Sequence, residues 1–491
     1  MILVDKTADT PLYRQLFDSC RNEITSGRIE AGSKLPALRT LANDLGISRN
    51  TVESAYRQLV IEGYISSRPG GGYIVEKLDL DDMSLAESCD IAMATHFPTI
   101  ECLDSSSTGS ETTRYDFTYG NLQDDAFPAD IWRKLTAEAL FGEEAACANR
   151  YGNPFGDPLL RREIAAQLAS KRGVRCSPEQ VVILPGTQAA LMRLLTLFDS
   201  RRDVVAMENP GFDGARIVFE RQGFSTVPLS VDDQSGWNLD SLARSKARLV
   251  FVTPSSQFPT GKIMTLPVRQ KLLNWAVEHD AFIIEDDYCR EFRYGAQPLP
   301  ALQSLDRHGR VIYMGTVSKA LTPALRINYF VLPPLLLAAW RDTFEGFRCE
   351  VSWLSQIVLR LFMQQGYWNR MLKRVQTKYK RKHAALTAAV KKHLGDNVSV
   401  VESNAGLHIL IETNDGRSAA ELVETARDAG VSVYSTSRYW ADDCDAAQRF
   451  VLVGFSSIEK EDIEPGIKAL AHAWFPDQHD RHRPSIKKNV E

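Results

Sequence analysis

The 491-residue chain has no Cys-x-x-Cys pair, no apolar run of membrane-spanning length, no internal repeat and no strong excess of either charge. Each absence removes a class of function. Its eight cysteines, at positions 20, 89, 102, 147, 176, 289, 349 and 444, are scattered, which argues against a disulfide framework or a zinc site and for packed, reduced thiols. A membrane-spanning helix needs about 20 apolar residues in succession, and the opening MILVDKTADT lacks the basic flank and apolar stretch of a secretory signal. The expected location is the cytoplasm. The net charge of −4 gives no general indication of a nucleic-acid partner, and residues 1–75 hold nine Lys and Arg against eight Asp and Glu. DNA binding, if present, has to be read from motif.

The chain is long enough, and at 44% hydrophobic rich enough, to build at least two cores. Residues 76–114 carry nine acidic side chains against two basic ones and end in a Ser/Thr-rich stretch; such composition makes an acidic flexible linker, residues 77–114. It separates a domain at 1–76 from one at 115–476, and a polar tail, 477–491, follows. The histidines of that tail belong to solvated charge rather than to a metal site. After the linker, strand-like runs (VVILPG, RLVFVTP, AFIIEDD, RVIYMGT) alternate with longer amphipathic segments. That alternation predicts an α/β domain on a largely parallel sheet.

Before the linker the pattern is helical. Leu12, Leu16, Cys20 and Ile24 recur every four residues, giving one apolar face to a helix that should end at Gly27. Leu38, Leu41 and Leu45 form the stripe of a short second helix, Gly46 permits the turn, and Ser48 can cap a third helix whose Val52, Ala55 and Leu59 face the core. Arg49, Asn50 and Thr51 are then left exposed in the first turn, where a recognition helix meets base edges and phosphate. YISSRPGGGYIV reads as two strands around a Pro-Gly turn, with Arg68 and the glycines free to approach DNA.

The run LPALRTLANDLGISRNTVESAYRQLVIEGYISSRPGGGYIV closely resembles the GntR-type winged helix-turn-helix, an α+β fold. The resemblance implies that Arg39, Ser48, Arg49, Asn50 and Thr51 contact double-stranded operator DNA, together with Arg68 and Gly71 of the wing.

The second domain offers the five groups that pyridoxal 5'-phosphate requires: a lysine, a carboxylate for the pyridine nitrogen, a donor to the phenolic oxygen, an aromatic plate and a phosphate cup. Lys319, in GTVSKALTPALR, lies just past a strand end, where open α/β sheets bind ligands; it is the candidate to form the cofactor's aldimine. Asp286 and Tyr288, in EDDY, sit at another strand end, and an ionised Asp286 would keep the pyridine nitrogen protonated. Gly186, Thr187 and Gln188, between a strand and a helix, make the phosphate cup, closed by Thr316, Ser318 and Arg326. Phe212, in ENPGF, is the ring plate.

From Arg150 onward the chain resembles the fold type I aminotransferases, with helices on both faces of the sheet and a small C-terminal α/β subdomain. Fused to the winged helix, it resembles the MocR/GabR-type transcription regulators over nearly its whole length. The resemblance implies that Tyr151 reaches the phosphate of a dimer partner and that AGLHI forms a late strand near the substrate. It also implies that Arg438, in VYSTSRYW, binds a ligand carboxylate. Two positions depart from the family pattern. Ser256 stands where histidine is usual, leaving Gln257 as the nearest ring contact, and Phe212 replaces the usual tyrosine. Both changes remove a hydrogen-bonding or proton-transferring group, which weighs against efficient transamination rather than against cofactor binding.

The basic run KRVQTKYKRKH, residues 373–383, reads as a solvated helix face, with auxiliary DNA contact the lesser alternative. The reading is therefore a homodimeric, DNA-binding regulator that holds pyridoxal phosphate and senses a small amine, an amino acid or the cofactor itself. The alternative is a working aminotransferase carrying an accessory DNA-binding domain. The effector, the operator and the sign of regulation are not encoded in any motif.

Overall fold

The computed structural model describes residues 4–5, 10–68, 72–77, 113–232, 236–294, 300–401, 405–441 and 444–476, and for Arg68 the backbone alone. The chain divides into two compact units, Met1–Thr108 and Gly109–Glu491. Gly71, nearly all of the expected linker and the tail from Asp477 fall outside the described residues.

In the first unit, α1 (Leu12–Thr25) packs on α3 (Arg49–Ile61), and α2 (Leu38–Leu45) leads into α3. The four-residue apolar spacing in α1 buries Leu16, Cys20 and Ile24 completely or nearly so, against Val52, Ala55 and Leu59 of α3. Gly46 takes the left-handed conformation (φ +61°) that closes α2. Ser48 caps α3, its Oγ accepting from the Thr51 amide at 3.1 Å. Two strands follow, β1 (Ile65–Arg68) and β2 (Gly72–Val75), paired antiparallel with Ile65 opposite Val75 and Arg68 opposite Gly72.

The second unit is built on an eight-stranded sheet. Its spatial order is Val181–Leu184, Asn328–Val331, Val311–Thr316, Phe282–Asp286, Ala247–Val252, Val204–Asn209, Ser225–Asp232 and Gly236–Trp237. Only Asn328–Val331 and the short Gly236–Trp237 run against the others. Its central strands are apolar at nearly every position because both faces are covered. Val181 and Ile183 point into a core shared with the helices Pro158–Arg172, Trp353–Gln364 and Tyr367–His393. Val182 and Leu184, one residue out of phase, point into a core with Thr187–Leu195, Asp213–Arg221 and Pro334–Thr343. A four-stranded antiparallel sheet follows the long helix, with His408–Thr413 between Val398–Val401 and Val451–Gly454, and Tyr434–Ser435 at the edge. The fold class read from sequence, a mostly parallel sheet with helices on both faces and a small C-terminal subdomain, is the one observed.

Candidate functional site

In the first unit, Ser48, Arg49, Asn50 and Thr51 open α3, while Arg39 lies on α2. Arg39, Arg49 and Asn50 are exposed, as is the cap residue Ser48. Thr51 departs from the expectation of free exposure: it is half-buried, and its hydroxyl lies 2.8 Å from Ser48 Oγ. The two hydroxyls are used on each other to hold the helix start, which leaves Arg49 and Asn50 as the projecting side chains.

In the second unit, five parallel strands end on the same edge of the sheet, and the turns beyond them enclose a cavity of about 290 Å³. The strand Phe282–Asp286 delivers Asp286 and Tyr288, and Val311–Thr316 delivers Thr316, Ser318 and Lys319. Val181–Leu184 leads into Thr187 and Gln188, Val204–Asn209 into Phe212, and Ala247–Val252 into Thr253 and Phe258. Arg326 closes the same wall. These residues span positions 187–326, and the parallel strand ends and their adjoining loops bring them together.

The cup at the start of helix Thr187–Leu195 is tight. Gly186 has φ +86°, and a Cβ there would collide with the Arg326 guanidinium. Arg326 itself holds a left-handed backbone (φ +50°), a conformation that costs a non-glycine residue about 1–3 kcal/mol and persists only where surrounding packing demands it. Asn328 Nδ2 donates to Thr187 Oγ1 at 3.2 Å, Thr316 Oγ1 accepts from the Ser318 amide at 3.1 Å, and Gln188 Nε2 donates to the Gly214 carbonyl at 3.2 Å. The turn, the lysine loop and the Phe212 helix are thus tied to one another.

Electrostatically the cavity is desolvated, and burial disfavours the charged form of both its carboxyl and its amine. Burial raises the Asp286 carboxyl to about 8, and the neighbouring carboxylates of Asp287 and Glu208 add to the rise while Lys319 opposes it. Burial also lowers the Lys319 ammonium from its ordinary value. Lys319 Nζ stands 4.4 Å from the centroid of the Tyr119 ring. The Tyr288 hydroxyl is buried beside the Ser256 side chain, and burial holds its phenol well above the usual value. Behind these groups, Arg172 Nε donates to Asp287 Oδ2 at 2.8 Å, Tyr313 donates to the same oxygen at 2.7 Å, and Arg172 Nη2 donates to Ser255 Oγ at 2.7 Å. This buried network pins the segment that carries Asp286 and Tyr288.

Two expected contacts, those of Gln257 and Arg438, are arranged differently. Gln257, expected against the ring, is fully buried in its own loop. Its Nε2 donates to the carbonyls of Pro210 (2.7 Å) and Phe258 (2.6 Å), and its Oε1 accepts from the Thr260 hydroxyl (2.6 Å). The amide cannot serve the loop and the cavity at once, and the loop has taken it. Arg438 lies outside the residues lining the cavity; its Nε donates to Asp213 Oδ2 at 2.8 Å. Tyr151 is 87% exposed, beside the Arg348 guanidinium, and so does not reach the cavity of its own chain.

Sequence reading passed over an aromatic box. Phe258 has ring neighbours at centroid distances of 4.7 Å (Tyr439), 5.3 Å (Tyr119), 5.6 Å (His408) and 6.1 Å (Tyr288). His408 also meets the Tyr119 ring edge-on at 4.8 Å. Its Nε2 lies 2.6 Å from the Pro259 carbonyl, which can only accept, so the proton is on Nε2. Nδ1 is buried without a partner among the described residues, and burial lowers the imidazole to about 4. Ser256 replaces one family imidazole, yet another lies within the box. The signal for His408 was its place in AGLHI, a strand already read as near the substrate; nothing local marks Tyr119.

A model of the bacterial regulatory proteins of the gntR family matches residues 12–75, and one of aminotransferase class I and II matches residues 115–468. The chain is 38% identical over 473 residues to the uncharacterized HTH-type transcriptional regulator YdeL of Bacillus subtilis (strain 168), covering 96% of this chain and 98% of that one. It is 35% identical to the probable rhizopine catabolism regulatory protein MocR of Rhizobium meliloti, covering 97% of this chain and 96% of that one. Among solved structures, an archaeal alanine:glyoxylate aminotransferase superposes with a TM-score of 0.67 at 26% identity, over 76% of this chain and 93% of that one.

Proposed function

Because the chain belongs to the MocR-type transcriptional regulators, in which a gntR-family DNA-binding domain is joined to an aminotransferase class I and II domain, we propose that it holds pyridoxal phosphate in the strand-end cavity and uses it to sense a small amine or amino acid, or the cofactor itself. Members of this fold family bind that cofactor. The observation that carries the reading is convergence: Lys319, Asp286, Tyr288, Thr187 and Arg326, from three strand ends and an adjoining loop, line one cavity.

The residues fit the group. Arg326 and the amides at the start of helix Thr187–Leu195 suit a phosphate, with Thr187, Ser318 and Thr316 beside them. The buried Tyr288 hydroxyl, on the cavity wall, suits the phenolic oxygen. Asp286, kept neutral by burial, would be returned to its anion by a protonated pyridine nitrogen placed against it. Phe212 and Phe258 supply apolar walls. Lys319 is the amine that would hold the cofactor, and its lowered pKa keeps more of it in the neutral, nucleophilic form near neutral pH. Bound there, the cofactor would supply an electrophilic carbonyl for an incoming amine and an electron-accepting ring. The chain's own part is to exclude water, orient the ring and move the proton held at Lys319 Nζ.

For a carboxylate-bearing effector, Arg438 would have to exchange Asp213 for the ligand. Tyr151, exposed on its own chain, is proposed to complete the site of a second copy, which makes the regulator a homodimer bearing two DNA readers. The intact set of Lys319, Asp286 and Tyr288 also keeps the second reading, residual transaminase turnover, under test.

The decisive experiment is the visible spectrum of the purified protein with added pyridoxal phosphate, beside Lys319→Ala, followed by titration of candidate amines against binding to its own upstream DNA. A borohydride-reducible band that is absent from the variant, with DNA binding that answers to an amine or to the cofactor, is expected. A protein that takes up no cofactor overturns the sensor reading.

A further inference from the structure

We propose that a second ligand site lies behind the cofactor cavity and takes a small organic anion with an apolar body. The two stretches that build the front cavity also build a rear one. Asp286, Tyr288, Ser318 and Lys319 line the front, whereas Arg290, Glu291 and Val317, their immediate neighbours in the chain, line a separate cavity of about 280 Å³. That is near the lower end of the size range of small-molecule sites, roughly 300 Å³.

Its charge is one-sided. Four cationic residues line it, Lys171, Arg172, Arg290 and Lys373, against a single carboxylate, Glu291. Arg172 is committed to Asp287 and Ser255, and Glu291 is already paired with Arg290 Nε at 2.8 Å. What is left over is Arg290 Nη1, buried with no hydrogen-bond partner among the described residues. A buried guanidinium N–H without an acceptor is costly, and a carboxylate or phosphate oxygen would remove that cost. Lys171 and Lys373, both exposed, stand at the rim and draw anions toward the opening. The remaining wall is largely apolar, from Leu168, Met363, Trp368 and Leu372 with the Tyr329 ring. A bare inorganic ion would leave that wall unused, whereas a hydrocarbon or aromatic body would bury it.

The binding claim stands without the sensor reading above. If both hold, a ligand in the rear cavity shares polypeptide with Tyr288 and Lys319, and any difference it makes to the front site is returned in its own affinity.

Isothermal titration of the full-length protein with benzoate, with hexanoate and with inorganic phosphate tests the proposal. Saturable binding of at least one carboxylate at about 1 mM or tighter is expected, with phosphate weaker. The exposed double variant Lys171→Gln/Lys373→Gln should weaken carboxylate binding by about threefold or more, Arg290→Gln should abolish it, and Arg326→Gln, in the front cavity, should leave it unchanged. No saturable binding of either carboxylate overturns the proposal. So does binding that survives Lys171→Gln/Lys373→Gln but is lost in Arg326→Gln, since the anion would then be in the front cavity.

Discussion

Replacing Gly186 by alanine tests the phosphate cup with a single methyl group. Gly186 has φ +86° and ψ 167°, a region closed to side chains, and the new Cβ would overlap the Arg326 guanidinium. The backbone penalty alone is about 1–3 kcal/mol. To relieve the collision the guanidinium must swing out of the cup, and a charge-assisted hydrogen bond to a bound phosphate is worth roughly 1.5–3 kcal/mol. Cofactor affinity should therefore fall by about 10- to 150-fold, read by titrating the apo-protein with pyridoxal phosphate and following the visible band. Gly236→Ala is the control, since Gly236 also has a positive φ (+72°) but nothing lies within 4 Å of its Cβ position. It should lower the melting temperature without touching cofactor affinity. If Gly186→Ala behaves as Gly236→Ala does, destabilised but binding cofactor normally, then Arg326 and this turn do not form the phosphate site.

Other perturbations follow from the same geometry. His408 has an ordinary pKa of 6.5 that burial lowers to about 4; between those values the unfolded chain binds the proton and the folded one does not, so stability falls as pH drops through this window. The full loss is ~3 kcal/mol, and melting temperatures of His408→Gln should fall less steeply from pH 7 to pH 4 than those of the parent; equal slopes would refute the assignment. Ser48→Ala removes the acceptor of the Thr51 amide and should cost the winged helix about 1 kcal/mol by urea unfolding. Arg49→Ala should weaken operator binding and, if the contact is to phosphate, reduce the salt-dependence slope by roughly one, measured by fluorescence anisotropy over a salt series. Asp286→Asn removes the carboxylate offered to the pyridine nitrogen, and the cofactor's absorption maximum should shift while its uptake persists; an unchanged spectrum would mean that Asp286 does not face the ring.

The sequence by itself determined whatever depends on near neighbours. Four-residue spacing places Leu16, Cys20 and Ile24 on one face whatever lies beyond, and Ser48 caps a helix because its hydroxyl needs only an amide three residues on. The strand runs announce themselves because a strand buried on both faces has nowhere to put a polar side chain, and Asp286, Lys319 and Thr187 could be singled out because each stands at or just past the end of such a run. Only the tertiary structure decided which of these side chains meet, and what else joins them. Tyr119, Phe258 and His408 come from three distant segments, and no spacing in the chain foretells their contact. Gln257 is taken up by its own loop, because a side-chain amide next to a cavity can satisfy that loop instead, and Arg438 is engaged by Asp213, 225 residues away, a partner that no local pattern marks. The protonation of Asp286 belongs to the same class. Its carboxyl is ordinary in the sequence and is raised to about 8 only because folding strips away its water and sets Asp287 and Glu208 beside it. Local pattern selects the elements; desolvation and long-range competition for hydrogen-bond partners decide the chemistry they enclose.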